Sequence, residues 1–263
     1  MAISSTCLST GWAIGRCFSR FWSITPPSST DSESMPLHPH QQRLRDGQTV
    51  VAVNIGGRNP DVMGALARGG AHIAFVDCER TGIGLDAATD LIRAARVAGL
   101  SPMVRSWSRD PAVLVQYLDR EADGLIIPHI DTAAQAADAV EVVRYACGEQ
   151  ACDKSVIVQI ETGLAVENID DILGVAGIDA FLIGPNDLAY SLTGRRGVTT
   201  PEVTAAIDTV SARLRAAGLR FGMPANWQQL AQFQGRGATL LYFPIEWLLE
   251  RSLAELGTQL GIR

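Results

Sequence analysis

The chain has 263 residues, of which 47% are apolar and 19% charged, with a formal net charge of −6. That is enough apolar material for one large core, and no block of Lys or Arg marks a nucleic-acid or membrane-surface footprint. No apolar run reaches the ~20 residues of a bilayer span. Lys154 is the only lysine, and His38, His40, His72 and His129 are the only histidines, so a Schiff-base lysine or a histidine-rich metal site has few residues to draw on.

Residues 1–34 are Ser/Thr-rich, contain Arg16 and Arg20, and have no acid before Asp31. They read as a disordered or untranslated, dispensable extension, with Met35 as the start. An organelle transit peptide is the alternative. Residues 26–34 are a Pro/Ser linker in either case. From Gln48 onward, short β-branched runs alternate with amphipathic stretches. The spacing predicts strands at 50–54, 73–77, 102–105, 124–128, 156–160, 180–183, 220–223 and 239–242. Helices are expected to begin near Pro60, Leu85, Pro111, Thr132, Ala165, Pro201, Trp227 and Trp247. Eight β-then-α units over residues 35–263 predict an α/β fold, a parallel (β/α)8 TIM barrel. A doubly wound open sheet is second, since "VNIGGRNPD" lacks a dinucleotide-binding glycine pattern. Five scattered cysteines, with no C-x-x-C pair, predict reduced thiols in a cytoplasmic compartment.

Chemistry in such barrels sits at the C-terminal strand ends. Those ends carry Asn54, Asp77 with Glu79 and Arg80, Arg105, His129, Gln159 with Glu161, Asp187, Asn226 and Glu246. In "VIVQIETG", alternation sends Gln159 and Glu161 to one side. In "FLIGPNDLAYS", a Gly-Pro turn precedes Asn186 and Asp187. There Asp187 is either a helix N-cap, or it reaches a metal while the turn's N–H groups hold a carboxylate. Both can be true. Glu161 and Asp187 end consecutive strands, and two carboxylates with water suit a hard divalent ion. Arg105, ending "PMVRSWS", suits a carboxylate or a developing enolate oxygen. Its structural alternative is an ion pair with Asp77 or Glu161.

The segments "VDCE", "PMVRSWS", "GLIIPHIDTAAQA", "VIVQIETGLAVENIDDIL" and "IDAFLIGPNDLA" resemble, in order and spacing, the HpcH/HpaI aldolase/citrate lyase family. These are metal-dependent class II pyruvate aldolases of the 4-hydroxy-2-oxoheptanedioate and 2-dehydro-3-deoxyglucarate aldolase type. The resemblance covers about residues 36–260. It implies a metal-dependent carbon–carbon lyase acting on a 2-oxo acid, with an aldehyde partner, through a metal-bound pyruvate-type enolate. The ion is Mg2+, Mn2+ or Co2+, with Glu161 and Asp187 as ligands. Arg105 offsets the enolate charge, Gln159 lines the site, and Gly184, Pro185 and Asn186 hold the pyruvate carboxylate by their backbone. Asp77 and Asp119 match positions that support the base, while Trp107 and His129 are placed near substrate. The last helix is expected to pack on a neighbouring subunit, in a homo-oligomer built as a hexamer from three dimers.

Two departures follow. Arg80 stands where the family has its base histidine, and arginine stays protonated. It is therefore an ion-pair partner of Asp77, Glu79 or a neighbour's Asp119, or else a contact for an anionic substrate. Proton transfer then falls to metal-bound water or, as the weaker alternative, to His129. The glycine- and arginine-containing loop before strand 5 is also missing from "VRYACGEQACDKSVIVQIE". The competing readings are a synthase running a related condensation, and a non-catalytic carboxylate binder. A lysine-imine aldolase is disfavoured because Lys154 precedes strand 5. A phosphorylated substrate is disfavoured because "FGMPANW" and "LYFPIEW" lack a glycine-rich grip.

Overall fold

The computed structural model describes residues 37–148 and 153–262. The expected extension and the boundary at residues 34 and 35 lie outside the described residues. The eight strands are β1 (Val50–Asn54), β2 (Ile73–Asp77), β3 (Ser101–Arg105), β4 (Gly124–Ile127), β5 (Ser155–Ile160), β6 (Ala180–Ile183), β7 (Phe221–Pro224) and β8 (Leu240–Pro244). Every neighbouring pair is parallel, and β8 pairs with β1, so the barrel is closed. The open-sheet alternative is thereby excluded. The helices are α1 (Pro39–Arg45), α2 (Met63–Arg68), α3 (Leu85–Val97), α4 (Pro111–Leu118), α5 (Ala133–Cys147), α6 (Gly163–Glu167), α7 (Ile169–Leu173), α8 (Pro185–Thr193), α9 (Pro201–Ala216), α10 (Leu230–Gly235) and α11 (Ile245–Gln259).

Side-chain alternation separates two cores. Inside the barrel lie Ala52, Phe75, Met103, Ile157, Ala180 and Leu182. Between sheet and helices lie Ala74, Val76, Val104, Val158, Phe181 and Ile183. Counting on by two from the inner set gives Asn54, Asp77, Arg105, Gln159, Glu161 and Gly184. The polar residues at the strand ends thus continue the inward register and face the barrel mouth. This is why strand β2, dry along its length, ends in charge.

The other end of the barrel is plugged by α1. Its Pro at the first turn is pre-set for a helix start. Leu44 reaches the inner core. His40 is fully buried, 2.7 Å from the Ser101 hydroxyl and 2.9 Å from that of Ser155. Burial, aided by His38 and His72, pushes its pKa down to about 3. The unfolded chain protonates His40 near 6.5, so between those values it binds a proton that the folded chain refuses. Stability from this site is full above pH 6.5 and falls as pH drops toward 3, by on the order of 5 kcal/mol. In urea unfolding, His40→Asn should flatten the wild-type slope across that window. Parallel profiles for the two proteins would contradict it.

Of the described cysteines, Cys78 is a free buried thiol. Cys147 is disulfide-bonded, which corrects the expectation that every thiol is reduced. Among the described residues no helix is long and apolar enough to cross a membrane.

Candidate active site

A cleft of about 380 Å³ opens at the C-terminal ends of the strands. Arg80, Arg105, Gln159, Glu161, the 184–187 turn and Arg196 line it, over an apolar floor that includes Phe75 and Leu182.

Asp77 ends β2 and is 2% exposed. Its carboxylate accepts from Arg105 Nε at 2.9 Å and from Arg105 Nη2, and from the backbone N–H groups of Glu79 and Arg80 at 3.2 and 3.1 Å. Asn54 donates to it at 3.3 Å. Arg105 Nη1 lies 3.2 Å from Glu79, and its guanidinium stands 5.3 Å from the Phe75 ring centre. Burial opposes the Arg105 charge, but the Asp77 hydrogen bond and charge outweigh it, and the group remains a cation. Of the two ion pairs expected for Arg105, the one with Asp77 forms; the second partner is Glu79, not Glu161.

Glu161 is 1% exposed. Its Oε1 accepts from the His129 backbone N–H at 2.8 Å and its Oε2 from Gln159 Nε2 at 3.0 Å. Burial pushes its carboxyl up, and the carboxylates of Glu79 and Asp187 add to this against the His129 charge. The Gln159 Oε1 is buried without a hydrogen-bond partner. His129 has a left-handed backbone, φ 54. That turn places its ring between two acids, with Nδ1 3.1 Å from Glu161 and Nε2 3.3 Å from Glu79. The Glu79 hydrogen bond, against burial, raises the His129 pKa. Burial pushes Glu79 up, but His129, Arg105 and Arg80 hold it below the usual carboxylate range.

Gly184 leaves room at Glu161, because a Cβ there would lie 2.7 Å from Glu161 Oε2. It is the N-cap of α8, which starts at Pro185. Asp187 is therefore in the first turn, which corrects its reading as the N-cap. The helix N-terminus presents its free N–H groups at the cleft. Asp187 Oδ2 takes Arg80 Nη2 at 2.8 Å and its Oδ1 takes Arg196 Nη2 at 2.8 Å. Arg80 also lies 3.5 Å from Glu79 through Nε. The expected Arg80 partner Glu79 is found; Asp77 takes only its backbone N–H, and Asp187 was not foreseen.

Two expected residues do not join this cleft in their own chain. Asp119 is exposed at the C-terminus of α4, and that helix runs back from the strand ends that form the mouth. Trp107 is exposed and bonds to Tyr117. Residues 149–152 of the α5–β5 connection, where the family's loop is expected to be missing, lie outside the described residues. Lys154 precedes β5, at the far end of the barrel, 3.7 Å from Asp153. Reasoning from sequence missed Arg196, held in the "TGRRG" turn, and Tyr242, whose hydroxyl accepts from Asn54 at 2.8 Å.

The residues present fit a divalent ion. Glu161 is a buried carboxylate with only the His129 ring as a cationic neighbour, Asp187 lies close enough to raise its pKa, the Gln159 oxygen is unpartnered, and Gly184 keeps the space beside Glu161 clear. All are hard oxygen donors. Among the described residues no three His, Cys, Asp or Glu side chains form a closed metal cluster. An ion held by two carboxylates would retain open positions for substrate and water.

The model of the HpcH/HpaI aldolase/citrate lyase family matches residues 52–241. The chain belongs to that family. The hydroxypyruvate/pyruvate aldolase of Pseudomonas aeruginosa is 29% identical over 250 residues, covering 84% of this chain and 92% of that protein. The 2-keto-3-deoxy-L-rhamnonate aldolase of Escherichia coli (strain K12) is 29% identical over 218 residues, covering 74% and 82%. Among solved structures, an HpcH/HpaI family protein from Burkholderia cenocepacia J2315 superposes with a TM-score of 0.76 at 26% identity, covering 83% and 97%. The citrate synthase SbnG superposes with a TM-score of 0.73 at 26% identity, covering 85% and 98%. As a member of the HpcH/HpaI family, the chain is an enzyme of an aldolase/lyase group.

Proposed function

We propose that the chain is a divalent-metal-dependent aldolase that makes or breaks the C3–C4 bond of a 4-hydroxy-2-oxo acid, giving pyruvate or a close 2-oxo acid and an aldehyde. The observation that carries this is buried Glu161 beside Asp187, across a cleft from an Arg105 locked by Asp77. When bound, the ion (Mg2+, Mn2+ or Co2+) polarises the keto oxygen. Glu161 and Asp187 would hold it, with Gln159 beside them.

The chain's own residues do the rest. The N–H groups at the start of α8 receive the substrate carboxylate. Arg105 faces the oxygen that gains charge as the C3–C4 electrons move into the enolate. Because Asp77 and Glu79 already fix the guanidinium, little reorganisation is needed when that charge appears. In cleavage, the C4 hydroxyl gives its proton to a water in the cleft as the aldehyde forms, and C3 of the enolate takes one back from water, so the protons balance. Arg80 does neither, since its guanidinium does not deprotonate. Asp77 is a positioning residue for Arg105. A screen of 4-hydroxy-2-oxo acids in cleavage, and of pyruvate with aldehydes in condensation, tests the assignment. Turnover only with an acyl donor would favour the synthase reading, which the likeness to the citrate synthase SbnG keeps open.

We also propose that the protein works as a homo-oligomer. Leu249, Leu253 and Leu256 are exposed along α11, and Leu260 at its C-cap. A groove of about 390 Å³ lies open outside β8 and β1, lined by Val51, Leu241 and Phe243 among others. In a (β/α)8 barrel that strip is covered by a helix, so a partner's α11 fits it. Light scattering on the intact chain should give a multiple of the monomer mass; a monomer would contradict this.

A further inference from the structure

One hydroxyl in the cleft has a hydrogen and no protein group to give it to. Tyr242 stands on β8, lines the cleft and sets its ring edge-on to Phe75, with centroids 4.8 Å apart. Its hydroxyl oxygen lies 2.8 Å from Asn54 Nδ2. The rest of the Asn54 amide fixes the direction of that bond. Asn54 Oδ1 accepts from the Gly56 N–H at 3.0 Å, and Nδ2 also donates to the Asp77 carboxylate at 3.3 Å, so the amide nitrogen and oxygen cannot be exchanged. Tyr242 therefore accepts from Asn54, and its own hydrogen points elsewhere. Among the described residues no group accepts it. Burial above all raises the Tyr242 pKa, so the hydroxyl keeps that hydrogen and stays a donor. A partly buried donor left unmatched is costly, and packing on Phe75 needs only the ring.

We propose that the Tyr242 hydroxyl is a catalytic hydrogen-bond donor to the oxygen on C4, which is the aldehyde oxygen in one direction and the developing alkoxide in the other. The assignment rests on the aldolase reading of the cleft. Its position around the barrel carries it. In a closed ring of eight strands, β1 faces β5 and β8 faces β4. Glu161 follows β5, α8 follows β6 and Arg105 ends β3. A 2-oxo acid whose head is held by these groups turns C3 and C4 toward the opposite wall, where Tyr242 and Asn54 stand. When the C3–C4 bond breaks, its electron pair moves into the enolate and the C4 hydroxyl gives its proton to water. Negative charge gathers on the C4 oxygen as that proton leaves. Tyr242 keeps its own proton and donates a hydrogen bond to this oxygen. In condensation the same bond polarises the aldehyde carbonyl. Asn54, held by Gly56 and Asp77, is a positioning residue that sets the phenol in place before the charge appears.

Tyr242→Phe removes the donor and keeps the ring, and two reactions divide its effect. Deuterium exchange into the methyl group of pyruvate needs the enolate and no aldehyde. Cleavage of 4-hydroxy-2-oxopentanoate to pyruvate and acetaldehyde needs the C4 oxygen as well. With Mn2+ present, the variant should exchange at the wild-type rate and lose about 10²-fold or more in kcat for cleavage, as when one oxyanion donor is removed. A fault in folding or in the metal site would slow both reactions. Cleavage at the wild-type rate, or exchange and cleavage falling together, overturns the assignment and leaves the aldolase reading standing. A wild-type protein that exchanges pyruvate but leaves the 4-hydroxy acid intact also overturns it, and confines the cleft to enolate chemistry. If the wild type neither exchanges nor cleaves, the aldolase reading falls and the assignment falls with it.

Discussion

Glu161→Ala is expected to weaken Mn2+ binding by more than about 100-fold, and Asp187→Ala to do the same. Glu161 is almost completely buried, and its Oε2 is the atom nearest the Cβ position at Gly184. Burial, with Glu79 and Asp187, raises its carboxyl pKa against the His129 charge, and a divalent ion would favour the charged form. Asp187→Ala removes the second donor and also frees Arg80 and Arg196. Asp187→Asn is the cleaner companion, because it keeps the shape and removes the charge. Titration followed by Mn2+ electron paramagnetic resonance checks both. Tight binding by the double variant would place the ion elsewhere.

Arg105→Met is expected to cost both stability and chemistry. It leaves Asp77 charged and buried, with only the backbone N–H groups of Glu79 and Arg80 and the Asn54 amide as partners. Breaking a buried pair in this way costs about 3–5 kcal/mol. Loss of the fixed cation at the enolate oxygen should slow turnover by about 10²–10³-fold. Asp77→Asn on top of Arg105→Met should restore much of the stability and none of the rate, since it removes the stranded charge only. Arg105→Lys should recover little, because an ammonium cannot bridge Asp77 and Glu79 as the fork does. Urea unfolding and turnover, measured on the same preparations, check the pair. Unchanged stability in Arg105→Met would show that the Asp77 contact carries no weight.

The barrel was legible because each strand is a short β-branched run, such as "IAFVD" or "SVIVQI", bounded by turn residues. Observed and expected strand ends differ by two residues at most. The inward polar set was legible too, since a period of two carries Phe75 to Asp77 and Ile157 to Glu161. Four features were not. The α1 plug is only seven residues long, and its contacts lie 61 and 115 residues away at Ser101 and Ser155. The Arg80–Asp187 pair joins positions 107 residues apart, and nothing local in "VDCERTG" points to it. Arg196 sits in a turn with no periodicity to mark which way its side chain goes. His129 turns toward Glu161 through a left-handed backbone, which is uncommon for a residue other than glycine.

The most direct measurement is deuterium exchange into the methyl group of pyruvate, followed by proton NMR, with Mg2+, Mn2+ or Co2+ and an EDTA control. Metal-dependent exchange, lost in Glu161→Ala and retained with Arg80 in place, is the expected result. Pyruvate that binds and shows no exchange above the EDTA control would contradict enolate chemistry in this cleft.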